Sequence, residues 1–513
     1  MKKYISDLQA NLPASVVVFL VALPLCLGIA LGSKAPLFSG IIAGIVGGIV
    51  IGAISKSPLS VSGPAAGLTA IVAAAILKLP SFETFLAAVV IAGAIQVILG
   101  FMKAGMLGDF VPNSVIKGML AAIGIILILK QLPHLVGYDA DFLGDESFIQ
   151  VDQQNTFSEI FNSLNYLSAG ATAIGILSMI ILIIFESKTF KSNAFLKQVP
   201  GPLVVVITGI LLNEFFKSGM TAFEIKKEHL VNLPVADSIG GFFKFFTFPD
   251  FQSLANPLVW TTALTIAIVA SLETLLSIEA IDKLDPYKRV TPTNLELKAQ
   301  GIGNIVSGLI GGLPMTSVIV RSSANVNAGG KTKQSTIFHA MLLLVSVIAI
   351  PNLLNMIPLA ALAAILIYTG YKLSKYSLFT EFYKKGANQF IPFLITIIAI
   401  LLTDLLIGIL IGIGIALMFM VWSNFRSSVM VVNDQSNYLF RFRKDVSFLN
   451  KPIIKRKLEE VPADSFVVID TSRADFIDRD IIDVINEFKQ HASLKNITVE
   501  IKKNEINKMQ KDL

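Results

Sequence analysis

Between residues 311 and 335, a stretch that should be one more membrane helix is broken. It reads Gly311-Gly312-Leu313-Pro314-Met315-Thr316-Ser317-Val318-Ile319-Val320-Arg321, then turns polar and glycine-rich up to Gly329-Gly330-Lys331-Thr332. A full span needs about 20 mainly apolar residues, and this stretch is too short and too polar to supply them. A matching interruption lies in the first half, Leu59-Ser60-Val61-Ser62-Gly63-Pro64-Ala65-Ala66-Gly67-Leu68-Thr69. Non-helical backbone cannot face lipid, because each unsatisfied amide costs several kcal/mol; it must be buried in protein or line a wet cavity. Interrupted segments at corresponding places in two halves point to a transporter's binding site.

Composition supports a membrane setting. Hydrophobic residues make up 54% of the 513 positions and charged residues 15%, with a mean hydropathy of +0.70; soluble chains carry about 25% charged residues. The charge is uneven: 29 charged residues fall in 434–513, leaving 49 for 1–433. The reading is a transport domain over 1–430 (first repeat 1–217, second 258–425) and a small soluble domain over 431–513. The first apolar run resembles a signal peptide but lacks a small-residue cleavage site before a soluble domain, so it is read as the first span. Cys26, the only cysteine, lies in that span and excludes internal disulfides and cysteine metal sites. His134, His229, His339 and His491 are scattered and suggest no metal cluster. The net charge of +6 is mostly loop lysine, which reads as membrane topology rather than nucleic-acid binding.

Fourteen segments are expected, near 12–32, 37–54, 60–78 (broken), 83–101, 111–131, 165–186, 199–216, 258–281, 296–312, 313–328 (broken), 336–355, 357–371, 389–405 and 406–425. With a cytoplasmic N-terminus every even-numbered loop should be basic. Those loops hold Lys56; Lys103; Lys188, Lys191 and Lys197; Lys283, Lys288 and Arg289; Lys331 and Lys333; and Lys372, Lys375, Lys384 and Lys385. The odd loops are nearly uncharged or mixed, as in 132–164 with Asp139, Asp141, Asp145 and Glu146. The soluble tail then lies in the cytoplasm. Seven segments per half force the halves into opposite orientations, an inverted repeat whose broken members meet near the midplane.

In the first broken segment Gly63 allows a bend and Pro64 suits the first turn of a new helix. The amides of Ala65, Ala66 and Gly67 then point free, and these small residues leave room. In the second, Thr316 and Ser317 are expected caps for a helix starting near Val318. Two facing helix N-termini make a positive site suited to a small anion. Arg321, about one turn into the second half-helix, is costly at that depth and reads as an anion lure; a structural ion pair or a snorkelling arginine is the alternative. Glu273, with Ser277 one turn on, offers oxygen ligands for Na⁺ or a carboxyl for H⁺; a salt bridge to Arg321 or a lysine is its alternative. The string Asn325 to Thr332 nearly matches a phosphate loop, but it lacks the first glycine and the strand–loop–helix context, so it reads as a turn with anchoring lysines.

These residues resemble the SulP anion transporters. The resemblance is carried by Ser62-Gly63-Pro64, Leu272-Glu273-Thr274-Leu275-Leu276-Ser277, and Gly312-Leu313-Pro314 through Arg321 to Gly329-Gly330-Lys331-Thr332. It implies a UraA-like fold with core and gate domains and an anion held between spans 1, 3, 8 and 10. The expected anion contacts are Leu25, Ser62, Gly63, Ala65, Ala66, Gly67, Thr69, Thr316, Ser317, Val318 and Arg321. The coupling set is Glu273, Ser277, Met315 and Thr316, with Glu273 and Ser277 as the ligands if the ion is Na⁺. In bicarbonate-transporting relatives the position of Glu273 is an Asp in a sodium site, so the longer Glu leaves Na⁺ and H⁺ both open. Leu25 follows Pro24 where many sulfate-type relatives carry Gln, which places bicarbonate ahead of sulfate.

The tail alternates strand-like and helical patterns: strands at 438–442, 465–470 and 497–501, helices at 451–460 and 478–490. It resembles a short STAS domain, a cytoplasmic α/β module. Arg479 and Asp480 follow Asp478 where phosphorylated relatives carry Ser, which argues against a phosphoserine switch and for a structural or dimerising role. The expectation is a non-enzymatic secondary transporter of a small inorganic anion in the plasma (inner) membrane. Its expected partners are that anion, Na⁺ or H⁺, membrane lipid and a second copy of the chain; no organic cofactor and no nucleic acid are expected. Sulfate uptake or uncoupled anion exchange is the second reading, and a STAS-based signalling or scaffold protein the third.

Overall fold

The computed structural model describes residues 2–140, 148, 154–187, 190, 199–235, 241, 243–427, 429–442, 445–474 and 476–502. Lys188, Lys191, Lys197, Asp141, Asp145 and Glu146 lie outside the described residues. The chain divides into two compact units, 1–413 and 414–513.

Each of the fourteen expected intervals contains helix. The first half contains α1 (Lys2–Gly32), α2 (Leu37–Val46, continued by turns Gly47–Ile51 and Gly52–Ile54), strand β1 (Ser62–Pro64), α3 (Thr69–Lys78), α4 (Phe82–Phe101), α5 (Asn113–Leu135), α6 (Ala169–Glu186) and α7 (Gly201–Gly219). The second half repeats this order with α8 (Pro257–Leu284), α9 (Thr293–Leu309), strand β2 (Met315–Ser317), α10 (Ile319–Asn327), α11 (Gln334–Ala349), α12 (Leu359–Leu373), α13 (Ala387–Leu402) and α14 (Leu405–Ser427). Among the described residues, seven helices (α1, α2 and α4 to α8) are long and apolar enough to cross a bilayer singly. The expected eleventh span, 336–355, divides at Pro351. Proline has no N–H to continue the helical ladder, so a separate short turn follows.

The packing is that of an inverted repeat. Segments β1 and β2 pair antiparallel, Ser62 opposite Ser317, Gly63 opposite Thr316 and Pro64 opposite Met315, so a local two-fold passes between Gly63 and Thr316. Helices α5 and α12, fifth in each half, meet at Gly124 and Gly370. A Cβ on either would lie 2.5–2.6 Å from the other's carbonyl oxygen, so only glycine permits the approach. Helix α4 meets α9 the same way through Gly93 and Gly301. The symmetry-related pair, α11 and α2, is also tight, with Gly48 against Ala340. With no hydrophobic drive between helices in lipid, small residues at such crossings supply the packing energy.

The connections sort onto two faces. On one, Arg289 donates to the Lys331 carbonyl (2.8 Å), Lys333 donates to the Ala53 carbonyl (2.9 Å), and Asn11 near the start of α1 accepts from the Lys331 and Thr332 amides (2.9 and 3.2 Å). These are the lysine-rich even-numbered loops. The glycine string therefore forms a turn after α10, with Gly329 at φ +87°, and no phosphate loop. On the other face odd-numbered connections meet: Val231 donates to the Ile357 carbonyl (3.0 Å), and Asn355 accepts from Leu233 (2.6 Å).

In the second unit the sheet order is β3 (Val429–Asp434), β4 (Asn437–Phe442), β5 (Phe466–Asp470) and β6 (Thr498–Lys502). The first pair is antiparallel and the others parallel, bridged by α15 (Lys451–Glu459) and α16 (Arg479–Ala492). Phe440, Phe442, Ile454, Val467, Ile469, Ile481 and Val484 form its core. Strand β3 is an addition to the expected elements. Asp478 caps α16 by accepting from the Asp480 amide.

At the odd-loop face the Asp139 carboxylate sits between two imidazoles, 2.5 Å from Nδ1 of His134 and 2.5 Å from Nδ1 of His229. Burial alone would push the Asp139 carboxyl up, but the hydrogen bonds from His134 and His229 bring it below its ordinary value. The bond to Asp139 raises His229 against its partial burial, and Glu228, 3.5 Å from Nε2, adds to the rise. A raised His contributes stability that is lost as pH climbs through its folded value, and a depressed Asp contributes stability that is lost as pH falls through its own. The clamp is therefore complete between about pH 4 and 6.5, the ordinary Asp and His values. Thermal unfolding of the purified protein should show its melting temperature falling above that window, and His229→Asn should flatten this alkaline limb. Identical pH profiles for the two proteins would contradict the clamp.

Candidate functional site

The site starts from a backbone problem solved in three residues per strand. The β1–β2 ladder gives the interrupted backbone its partners, and the Val318 amide extends it by donating to the Val61 carbonyl (3.0 Å). The side chain of Asn304 on α9 reads both backbone groups of Met315, accepting from its N–H (2.7 Å) and donating to its carbonyl (3.1 Å). The hydroxyls of Ser60 and Ser317 bond across the strands at 2.6 Å, and the Ser317 amide donates to Thr274 of α8 (3.3 Å). Pro64 is thus the last residue of a strand rather than the first of a helix. Thr316 and Ser317 are strand residues, and neither caps α10: the Thr316 hydroxyl donates to the Ser317 carbonyl (3.2 Å). Strand pairing uses their backbone before a helix can begin, which is why the expected caps do not form.

Two helices leave this crossing with bare N-termini. After Ala65, in extended conformation, a tight turn Ala66–Leu68 leads into α3 without a side-chain cap. Its first backbone bond is from Leu68 to the Ala65 carbonyl (3.2 Å), so the Ala66 and Gly67 amides stand ahead of it. At α10, Val318 is the N-cap residue and offers no side-chain acceptor. The first closing bond is from Ser322 to the Val318 carbonyl (3.2 Å), leaving the Ile319, Val320 and Arg321 amides ahead of it. Uncapped amide groups and the helix dipole together place about half a positive charge at each start.

Arg321 adds a full one. It is 1% exposed, and its guanidinium lies over Gly63, where a Cβ would come within 2.2 Å of Nη1, and beside the thiol of buried Cys26. Its two terminal nitrogens are enclosed with no oxygen partner among the described residues. Among the described residues Arg321 forms no hydrogen-bonded ion pair with Glu273. A buried cation without a counter-charge carries a large desolvation cost, so the position calls for an anion. A cavity of about 30 Å³ opens here, walled by Leu25 and Ile29 of α1, Pro64 and Ala66, Val318, Val320 and Arg321, and four residues of α5 from Ile126 to Gln131.

Of the expected anion contacts, Leu25, Ala66, Val318 and Arg321 line this cavity. Ser62 instead accepts from Gln300 (2.6 Å), Ala65 is buried, and Thr69 donates to the Ala65 carbonyl at 3.5 Å. Gly67 faces the partly buried Glu273: a Cβ there would stand 3.1–3.2 Å from the carboxylate atoms. Ser277 is buried one turn further along α8. The Thr274–Ser317 bond brings α8 against the strand carrying Met315 and Thr316.

Two features were not foreseen. Helix α9 presents a polar spine of Glu296, Gln300, Asn304 and Ser307, each at most 1% exposed. Gln300 bonds both Ser62 and Glu296, Asn304 also holds Gln96 of α4 (2.6 Å), and Ser307 donates to the Leu313 carbonyl (2.8 Å). The four-residue spacing was visible in the sequence as a polar helix face. The second is Lys130, 5% exposed and on the cavity wall; a lysine inside an apolar span was its signal. Asn304→Ala would leave the Met315 amide and carbonyl buried without partners. Unfolding of the purified variant should show a loss of about 2–4 kcal/mol, and unchanged stability would contradict the anchoring role.

The Sulfate permease family model matches residues 8–419. The chain is 26% identical to "Putative sulfate transporter YvdB" of Bacillus subtilis over 449 residues, covering 86% of this chain and 78% of that one. It is 27% identical to "Bicarbonate transporter BicA" of Picosynechococcus over 328 residues, 64% of this chain and 54% of the relative. Among solved structures, the transmembrane domain of a cyanobacterial bicarbonate transporter BicA aligns with TM-score 0.54 at 23% identity, over 80% of this chain and 97% of that one. The murine Solute Carrier 26 family member A9 anion transporter, in its inward-facing state, aligns with TM-score 0.67 at 14% identity, over 96% and 85%. These likenesses establish a helical membrane transporter fold, and with the family match the chain belongs to the sulfate permease family.

Proposed function

We propose that this anion transporter carries bicarbonate ahead of sulfate, coupled to Na⁺ or H⁺ through Glu273. The observation that carries the reading is Arg321, fully buried, without an oxygen partner, beside two uncapped helix N-termini. An anion arriving there relieves the desolvation cost of the cation and accepts from amides already fixed in place, so little ordering remains to oppose binding. The two starts belong to α3 and α10, packed with α8 and α9. Movement of that core against α5, α12 and α13 would expose the anion to each side in turn.

Glu273 faces Gly67, and Ser277 follows one turn further along α8. A cation or proton bound there offsets the carboxylate charge, so loading one site favours loading the other. Leu25 makes an apolar patch in the cavity wall, which supports a small oxyanion needing few side-chain bonds; relatives carrying each activity by name keep sulfate as the second reading. Uncoupled exchange is the further alternative. The protein is placed in the plasma (inner) membrane with the lysine-rich loops and the tail in the cytoplasm, acting without chemical catalysis. The tail is read as a short STAS-type module and the assembly as a homodimer.

Radiolabelled uptake into proteoliposomes tests the reading, with bicarbonate or sulfate and with or without a sodium or proton gradient. Bicarbonate uptake stimulated by one gradient is expected, and Glu273→Gln should reduce it at least about tenfold and remove the gradient dependence. Sulfate uptake indifferent to bicarbonate would overturn the substrate choice. Unchanged cation dependence in the variant would overturn the coupling role, and a protein that moves no anion would leave the scaffold reading in its place.

A further inference from the structure

We infer that Lys130 of α5 is a direct anion ligand, the cationic contact supplied by the wall that faces the broken helices. The inference rests on the anion-transport reading and names a residue of that same site. Lys130 is 5% exposed and lines the cavity together with Gln131, 2% exposed. A buried lysine on the wall of an anion cavity brings a positive charge to it from the side opposite Arg321. Arg321 borders the same cavity from the other side, and the amide-bearing starts of α3 and α10 lie between them.

The two cations are carried by different layers of the fold. Arg321 and the helix starts are fixed to α8 and α9 through the strand crossing and Asn304. Lys130 rides on α5, which is locked to α12 by the Gly124–Gly370 contact and to α13 by Gly118, whose Cβ would lie 2.8 Å from the Phe393 carbonyl. The cavity between the layers is about 30 Å³. Alternating access needs the α5 wall to draw back to admit the anion and to close over it afterwards. Closing with an empty cavity brings Lys130 and Arg321 together as like charges. Closing over an anion places a negative charge between them. The anion thereby becomes the bridge between the two layers, and Lys130 the ligand through which the moving wall senses that the site is loaded.

The test is concentration-dependent anion uptake by the full-length protein in proteoliposomes, wild type against Lys130→Met and Lys130→Arg. Loss of a charged hydrogen-bond donor should raise the KM for the transported anion on the order of tenfold to a hundredfold, with the saturated rate much less affected. Lys130→Arg should recover most of the affinity, which a purely structural lysine would not explain. If the Met variant does not fold, Lys130→Gln keeps a polar group at the position and is read the same way. A wild type that transports while the Met or Gln variant keeps its KM overturns the Lys130 assignment alone. A wild type that takes up no anion overturns the transport reading itself and this assignment with it.

Discussion

Everything in the membrane unit depends on how six residues pair their backbones in the middle of an apolar protein. Ser62–Pro64 and Met315–Ser317 interrupt helices where water is absent, and the antiparallel ladder between them supplies the partners that lipid cannot. Because the pairing consumes the amides up to Val318, both following helices start abruptly and uncapped. The same ladder fixes where those starts point and brings Gly63 under Arg321. The functional positive charge is a by-product of the way the interruption is stabilised.

The supports around the crossing are polar and buried, so they tolerate little. Asn304 holds Met315 by both backbone groups, Gln300 holds Ser62, and Ser322 accepts from the Val61 amide (2.8 Å). Such networks rigidify a site when every member is satisfied. The glycine contacts between α4 and α9 and between α5 and α12 bring the paired helices into close backbone contact.

The sequence made the spans legible because apolar length is a strong signal, and the two interruptions because glycine, proline and hydroxyl residues break it visibly. It did not make the strand pairing legible. Three residues are too few to show an alternating pattern, so Thr316 and Ser317 read as helix caps when they are ladder residues. The Asp139 clamp joins His134 to His229 across 95 positions, a distance over which no local pattern speaks. Lys130 stands near the end of its predicted span, 111–131, and its place on the cavity wall comes only from the fold. The polar face of α9 was present as Glu296, Gln300 and Asn304 at four-residue spacing, but its partners Gln96 on α4 and Ser62 on β1 come only from the fold. In the tail, buried strand β5 and amphipathic α16 announced themselves, whereas β3, mostly exposed along its length, did not.

The central claim is that the transported anion is held by the helix starts beneath Arg321. The most direct measurement is an experimental structure of the protein in lipid at saturating concentration of the anion it transports. The account predicts density within hydrogen-bond distance of the Ala66, Gly67 and Val320 amides and of the Arg321 guanidinium. Density for the bound anion elsewhere in the membrane unit, with this crossing filled by side chains alone, would contradict it.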